Sequence, residues 1–247
     1  MRHFRRTLRD YAGFRRVFES TPGRHKEPSI IVSLDDEPAR PTKRLLNIAL
    51  GAATRARGVE FQILARRTSA EPRWHEVWPG EHYKLLAGLV AESGARNVVE
   101  IGTSTGMGTL AIAESLPVDG SVTTFDIVSW REFQKTWLAE EDFSSGRIAQ
   151  EIADIAKPGV IARYRELFQA ADFIFIDGPK DGVTERKFIE ALASFPLARN
   201  PLVMFDDIRV LNMIEIWRRL SRPKLDITSF GHWSGTGLVD WNGSPSS

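Results

Sequence analysis

Four short apolar runs end in acids: Glu100 in VVEI, Asp126 in SVTTFD, Asp177 in FIFID, and Asp206 with Asp207 in LVMFDD. A carboxylate at the end of a buried strand needs partners, and a shared ligand or cation supplies them. Lys180 follows Asp177 by three residues. A lysine close to a cation and partly desolvated has a lowered pKa and can take a proton. Residues 102–108 read GTSTGMG. Gly102 and Gly106 lack a Cβ, so this turn can bend and leave room for a ligand against the start of the next helix. The spacing G-x-x-x-G-x-G differs from the dinucleotide pattern G-x-G-x-x-G, and no G-K-[ST] follows as in a phosphate-binding loop.

These residues require a scaffold that brings strand ends together. From residue 97 onward, runs that read as strands (97–101, 121–126, 148–152, 173–177, 202–206, 225–229 and 235–240) alternate with helical patterns near 108–115, 130–140, 158–169, 183–193 and 209–220. Strands separated by helices imply right-handed crossovers and a mostly parallel sheet. The last two runs are separated by a segment too short for a crossover and form an antiparallel hairpin. The fold class is therefore α/β, with a seven-stranded, mostly parallel sheet, an antiparallel last strand and helices on both faces. Ligands of such sheets bind beyond the carboxyl ends of the strands, where the strand order reverses.

Upstream, residues 41–57 and 81–93 read as helices, 59–65 as a strand, and 69–80 as irregular chain carrying Trp74, His75 and Trp78. Residues 1–26 are rich in arginine and carry Phe4, Leu8, Tyr11, Phe14 and Phe18 at near-helical spacing. Such an arm either lies on a membrane or nucleic acid, or packs its aromatic stripe on the body or a second subunit of a homodimer. The net charge of +1 favours packing and makes nucleic acid an unlikely partner. Residues 21–42 read as a linker containing an apolar SIIVSL at 29–34. The expected division is an N-terminal arm, linker and helix over 1–60 and a catalytic domain over 61–247. The chain has no cysteine, which excludes disulfides, thiolate metal sites and cysteine nucleophiles. No apolar run is long enough for a transmembrane segment and no secretory signal is evident, so a cytoplasmic location is expected.

With VVEIGTSTG and the acid Asp126 after the next strand, the chain resembles the class I S-adenosylmethionine-dependent methyltransferases, whose sheet is Rossmann-like. That resemblance implies a cofactor site at Glu100, Gly102, Thr103, Ser104 and Gly106, with Asp126 on the ribose hydroxyls. Asp154 falls near the family's adenine-contacting acid, although Ala153 replaces the usual glycine before it. The segment DFIFIDGPKD resembles the catechol and caffeoyl-CoA O-methyltransferases, and the Asp-Asp of LVMFDD matches the macrocin-type sugar O-methyltransferases. Both groups hold a divalent cation, usually Mg²⁺, which implies Asp177, Asp206 and Asp207 as ligands, Asp177 and Lys180 as catalytic residues, and a small hydroxylated acceptor, phenolic or sugar. Hard oxygen donors suit that ion. Gly178 and Pro179 depart from both groups. His82 and His232 are the other candidate bases, and Trp74, Trp78 and Trp233 are candidate walls of an acceptor pocket. Structural roles compete with these readings: Asp177 as a turn cap, Asp207 as a helix cap, and Lys180 as a solvated loop residue. A nucleic-acid methyltransferase, a non-catalytic cofactor-binding module and, against the glycine spacing, a nicotinamide oxidoreductase are the alternatives.

Overall fold

The computed structural model describes residues 39–70, 81–197, 199–210, 212–231 and 233–244. The basic arm, SIIVSL, Trp74, His75, Trp78 and His232 lie outside the described residues.

Helix α1 (Lys43–Ala56) starts at Thr42, whose hydroxyl accepts from the Leu45 N–H at 3.1 Å. Its buried residues Leu45, Ala49, Ala52 and Ala56 recur at helical spacing and share a core with helix α3 (His82–Ser93). The approach is close: a Cβ on Gly88 would stand 2.5 Å from the Ala52 carbonyl oxygen. Between these helices, the expected strand over 59–65 is replaced by a turn and a short helix, α2 (Ile63–Arg67). The reason is local. The Glu114 carboxylate accepts the N–H groups of Gln62, Ile63 and Leu64 at 2.6, 3.1 and 2.8 Å, which satisfies a helix start.

Seven strands follow: β1 (Asn97–Ile101), β2 (Ser121–Asp126), β3 (Ile148–Ile152), β4 (Phe173–Ile176), β5 (Leu202–Asp206), β6 (Lys224–Asp226) and β7 (Thr236–Asp240). Their order is β3-β2-β1-β4-β5-β7-β6, parallel from β3 to β5, with β7 antiparallel to both β5 and β6. The α/β class and the closing antiparallel hairpin read from the sequence are therefore present. Alternate residues feed two cores. Val99, Ile101, Ile174, Ile176, Val203 and Phe205 face one layer, while Val98, Phe173, Phe175, Leu202 and Met204 face the other. The strand order reverses between β1 and β4, and this places a crevice beyond Ile101 and Ile176, which are register partners.

Helix α4 (Met107–Ser115) follows β1. The helix expected over 130–140 does not form. A single tight turn over Trp130–Glu132 leads into irregular chain and then the short α5 (Glu140–Phe143). Burial of Trp130 and Leu138, the Trp137 N–H donating to the Thr105 carbonyl at 2.8 Å, and Arg67 clasping Asp142 hold this stretch against the body instead. The 158–169 pattern divides into a turn over Ile161–Tyr164 and α6 (Arg165–Ala170). Helix α7 (Thr184–Ala193) follows β4, and α8 (Met213–Arg219) starts later than 209.

Candidate active site

The turn after β1 is shaped by its neighbours. Gly102 adopts φ 111°, its N–H donates to the Phe125 carbonyl at 2.8 Å, and a Cβ there would stand 2.1 Å from the Asp177 carbonyl oxygen. Gly106, at φ 83°, would drive a Cβ to within 2.3 Å of Leu138. At both positions the space a Cβ would take is held by protein atoms, the Asp177 peptide and the Leu138 side chain. Gly102 still forms part of a cavity wall, whereas Gly106 supports the start of α4.

Glu100 and Thr103 lie beneath the crevice. Glu100 is 1% exposed and accepts a hydrogen bond from the Thr109 hydroxyl at the foot of α4. Burial pushes its carboxyl up to about 8, against the hydrogen bonds from Thr109 and Thr124. Thr103 is buried, pairs its hydroxyl with that of Thr124 at 2.8 Å and accepts from Gln150 at 3.1 Å. Neither forms a wall of the cavity.

That cavity measures about 720 Å³ and runs across the ends of β1, β2 and β4. Gly102, Ser104, Asp126, Asp154 and Asp177 contribute to its walls, with Pro179 and Phe188 on the far side. Asp126 organises the rim. One carboxylate oxygen accepts from the Ser104 N–H at 3.0 Å, and the other accepts from Ile127 and Val128 at 2.7 and 3.2 Å. Each oxygen offers further lone pairs to a ligand. Ser104 adopts φ 44°, a conformation uncommon for a non-glycine residue. Asp154 accepts from the Ala156 N–H at 3.0 Å and faces the Lys157 ammonium at 3.9 Å.

Beside the cavity, Asp177, Asp206 and Asp207 bring one carboxylate oxygen each within 4.8 Å of one another. Neither flanking aspartate caps a helix. Asp181 supplies the cap of α7, accepting from Val183 and Thr184 at 2.7 Å each, and α8 begins at Met213 behind Asn212. Asp207 and Lys180 both adopt left-handed backbone, at φ 58° and 62°. The Lys180 ammonium donates to Asp177, to the Gly178 carbonyl at 2.8 Å, and faces Asp207 at 3.3 Å. Burial lowers its pKa, but the attraction of Asp177, then of Asp206 and Asp207, prevails and holds it above the ordinary lysine value. The expected lowering is therefore reversed in this geometry, and Lys180 is neither solvated nor a free base.

His82, the first residue of α3, is buried, and its N–H donates to the Gly231 carbonyl at 3.2 Å. Trp233 is 59% exposed on the loop between β6 and β7, and Ser234 beside it accepts from the Arg209 N–H at 2.8 Å. Two further residues were not singled out in the sequence. Burial, with Asp177, Asp206, Glu100 and Asp207 adding to it, holds the Tyr83 phenol well above its ordinary range. Glu185 is fully buried under the Lys180 loop. Tyr83 reads as part of a helix start and Glu185 as a first-turn helix acid, so neither stands out by type or spacing.

A sheet with this strand order, a cavity over β1 and β2 and an acid cluster at β4 and β5 define a methyltransferase architecture. The chain belongs to the O-methyltransferase family of S-adenosylmethionine-dependent enzymes, whose profile matches residues 59–207. Among similar solved structures, one from Corynebacterium glutamicum is 16% identical, covers 76% of this chain and 94% of its own, and has a TM-score of 0.51. One from Staphylococcus aureus, provisionally described as a caffeoyl-CoA O-methyltransferase, is 17% identical, covers 78% and 98%, and scores 0.50. The O-methyltransferase TomG of Streptomyces achromogenes, solved with S-adenosylmethionine, is 20% identical, covers 85% and 100%, and scores 0.49. Among the described residues, no helix is long and apolar enough to cross a membrane.

Proposed function

We propose that the chain transfers the methyl group of S-adenosylmethionine to a hydroxyl of a small phenolic or sugar acceptor, with a divalent cation held by Asp177, Asp206 and Asp207. The carrying observation is the convergence of three carboxylate oxygens within 4.8 Å beside a cavity that Asp177 itself lines. Three hard oxygen donors on two adjacent strands fit Mg²⁺, which keeps positions for water or acceptor oxygens. When bound, such an ion lowers the pKa of a hydroxyl and orients its oxygen.

The protein residues would divide the remaining work. Asp126 would accept the ribose hydroxyls, with its backbone donors keeping its oxygens oriented. Asp154 would lie by the adenine, and the 102–104 backbone by the methionine portion. Glu100 and Thr103 would support that turn from below. Asp177 stands at the meeting point of cavity and acid cluster, so a methyl group in the cavity would face an acceptor at the cluster. Lys180 would act as base only once the carboxylates it now pairs with are engaged by a cation.

A second reading is favoured by the Lys180 ammonium on Asp177 and Asp207. It would be the resident cation of a metal-independent reaction, stabilising the acceptor oxyanion. Calorimetry with S-adenosylmethionine, with and without Mg²⁺, separates these. Methyl transfer to catechols and hydroxylated sugars is then measured with and without EDTA. Absence of cofactor binding sinks both readings. Binding and turnover indifferent to EDTA, and unchanged in Asp206→Ala, would leave only the second.

A further inference from the structure

We infer that Glu185 is a positioning residue that sets the Lys180 ammonium among the acidic residues by gripping the backbone of the loop that carries it. The Glu185 side chain is 0% exposed, at the first turn of α7. Its two oxygens reach back over the loop between β4 and α7. One accepts the Lys180 N–H at 2.5 Å and the other the Gly182 N–H at 3.0 Å. Charge-assisted bonds of this kind are roughly twice as strong as neutral ones.

Both gripped residues have left-handed backbone, Lys180 at φ 62° and Gly182 at φ 78°. For a lysine that conformation is unfavourable and persists only where its surroundings impose it. The other side of the loop is closed. Asn212 donates to the Asp181 carbonyl at 2.9 Å, and a Cβ on Gly182 would stand 2.4 Å from the Asn212 Cβ. Gly178 completes the packing, since a Cβ there would lie 2.8 Å from the Phe188 ring and 3.1 Å from Glu185. Turning Lys180 into left-handed backbone is what sends its ammonium back onto Asp177 and the Gly178 carbonyl. Glu185 is not among the residues lining the cavity and acts through Lys180.

The inference rests on the proposed function for what Lys180 does, but its test needs no cofactor, metal or acceptor. Trace acetylation with acetic anhydride, read by peptide mass spectrometry, reports how accessible each lysine amine is in the folded protein. Lys157, with a side chain 72% exposed, is the fast reference. Lys224, 5% exposed and donating to the Trp217 carbonyl, is a buried control far along the chain. In the wild type Lys180 should label slowly, as Lys224 does. Glu185→Gln presents an amide donor to one of the two N–H groups, so the grip fails there. Lys180 labelling should then rise about tenfold, a local opening, while Lys224 stays unchanged. Glu185→Asp, one methylene shorter, takes the same measurement should the glutamine variant fail to fold, and an intermediate rise is expected. An unchanged ratio of Lys180 to Lys224 labelling, or a rise shared equally by both, overturns the inference. Loss of S-adenosylmethionine binding in the wild type would remove the proposed function and leave this result standing.

Discussion

Replacing Glu100 by glutamine tests the electrostatics beneath the turn that follows β1. Glu100 is 1% exposed, and burial pushes its carboxyl from 4.5 to about 8. The sign follows from proton counts. Between pH 4.5 and about 8 the unfolded chain has released this proton and the folded chain keeps it. The contribution is therefore complete below the unfolded value and is lost as pH rises through the folded one, at ~1.4 kcal/mol per pH unit. Over the whole window this reaches ~5 kcal/mol as an upper bound. Glutamine keeps an oxygen for the Thr109 hydroxyl and has no proton to lose. Urea unfolding of wild type and Glu100→Gln at pH 5.5 and pH 8 should show the variant gaining about 3 kcal/mol relative to wild type between the two conditions. Other titrating groups cancel in that difference. Parallel stability profiles, with a difference constant to within ~0.5 kcal/mol, would refute the reasoning.

Three further outcomes are expected. Asp126→Ala should weaken S-adenosylmethionine binding by roughly tenfold or more in calorimetry, because a charged acceptor is worth ~1.5–3 kcal/mol per hydrogen bond; an unchanged affinity would remove Asp126 from the cofactor site. Asp206→Ala should abolish Mg²⁺ binding while altering cofactor affinity no more than about twofold, since Asp206 is not among the cavity walls; retained Mg²⁺ binding would contradict the proposed ligand set. Gly102→Ala should lower the thermal midpoint steeply, by the equivalent of ~3 kcal/mol or more, because the new Cβ meets the Asp177 carbonyl at 2.1 Å; a midpoint within a few degrees of wild type would show that β1 and β4 can part.

The central strands β1, β4 and β5 were legible because each is a short, largely apolar run, and strands buried on both faces are written that way. The acids at β4 and β5 were legible as the ends of such runs. The stretch over 130–140 was not legible, because Trp130 and Leu138 enter one apolar cluster with Leu64, Leu110 and Ala111 from a tight turn and from irregular chain rather than along one helical face. Nor was the helix at Ile63, whose start depends on Glu114, 50 to 52 positions away in sequence. At the site, residue identity could be read but charge state could not. Asp177 stands close to Lys180 in sequence, but Asp206 and Asp207, which add to its pull, arrive only with the next strand. Glu185 shows the limit most clearly, since its hydrogen bonds run backward onto amides whose left-handed conformation no composition announces.

The contact between Gly102 and the Asp177 carbonyl makes β1 and β4 share a seam with no slack. On one side hangs the turn proposed to cradle the methyl donor, and on the other the aspartate proposed to steer the acceptor. Enlarging residue 102 displaces the peptide from which the Asp177 side chain springs, so donor and acceptor geometry are adjustable only together along this line. Diversification toward new acceptors has its freedom elsewhere, in segments such as the β6–β7 loop bearing Phe230 and Trp233, which can change without moving the seam.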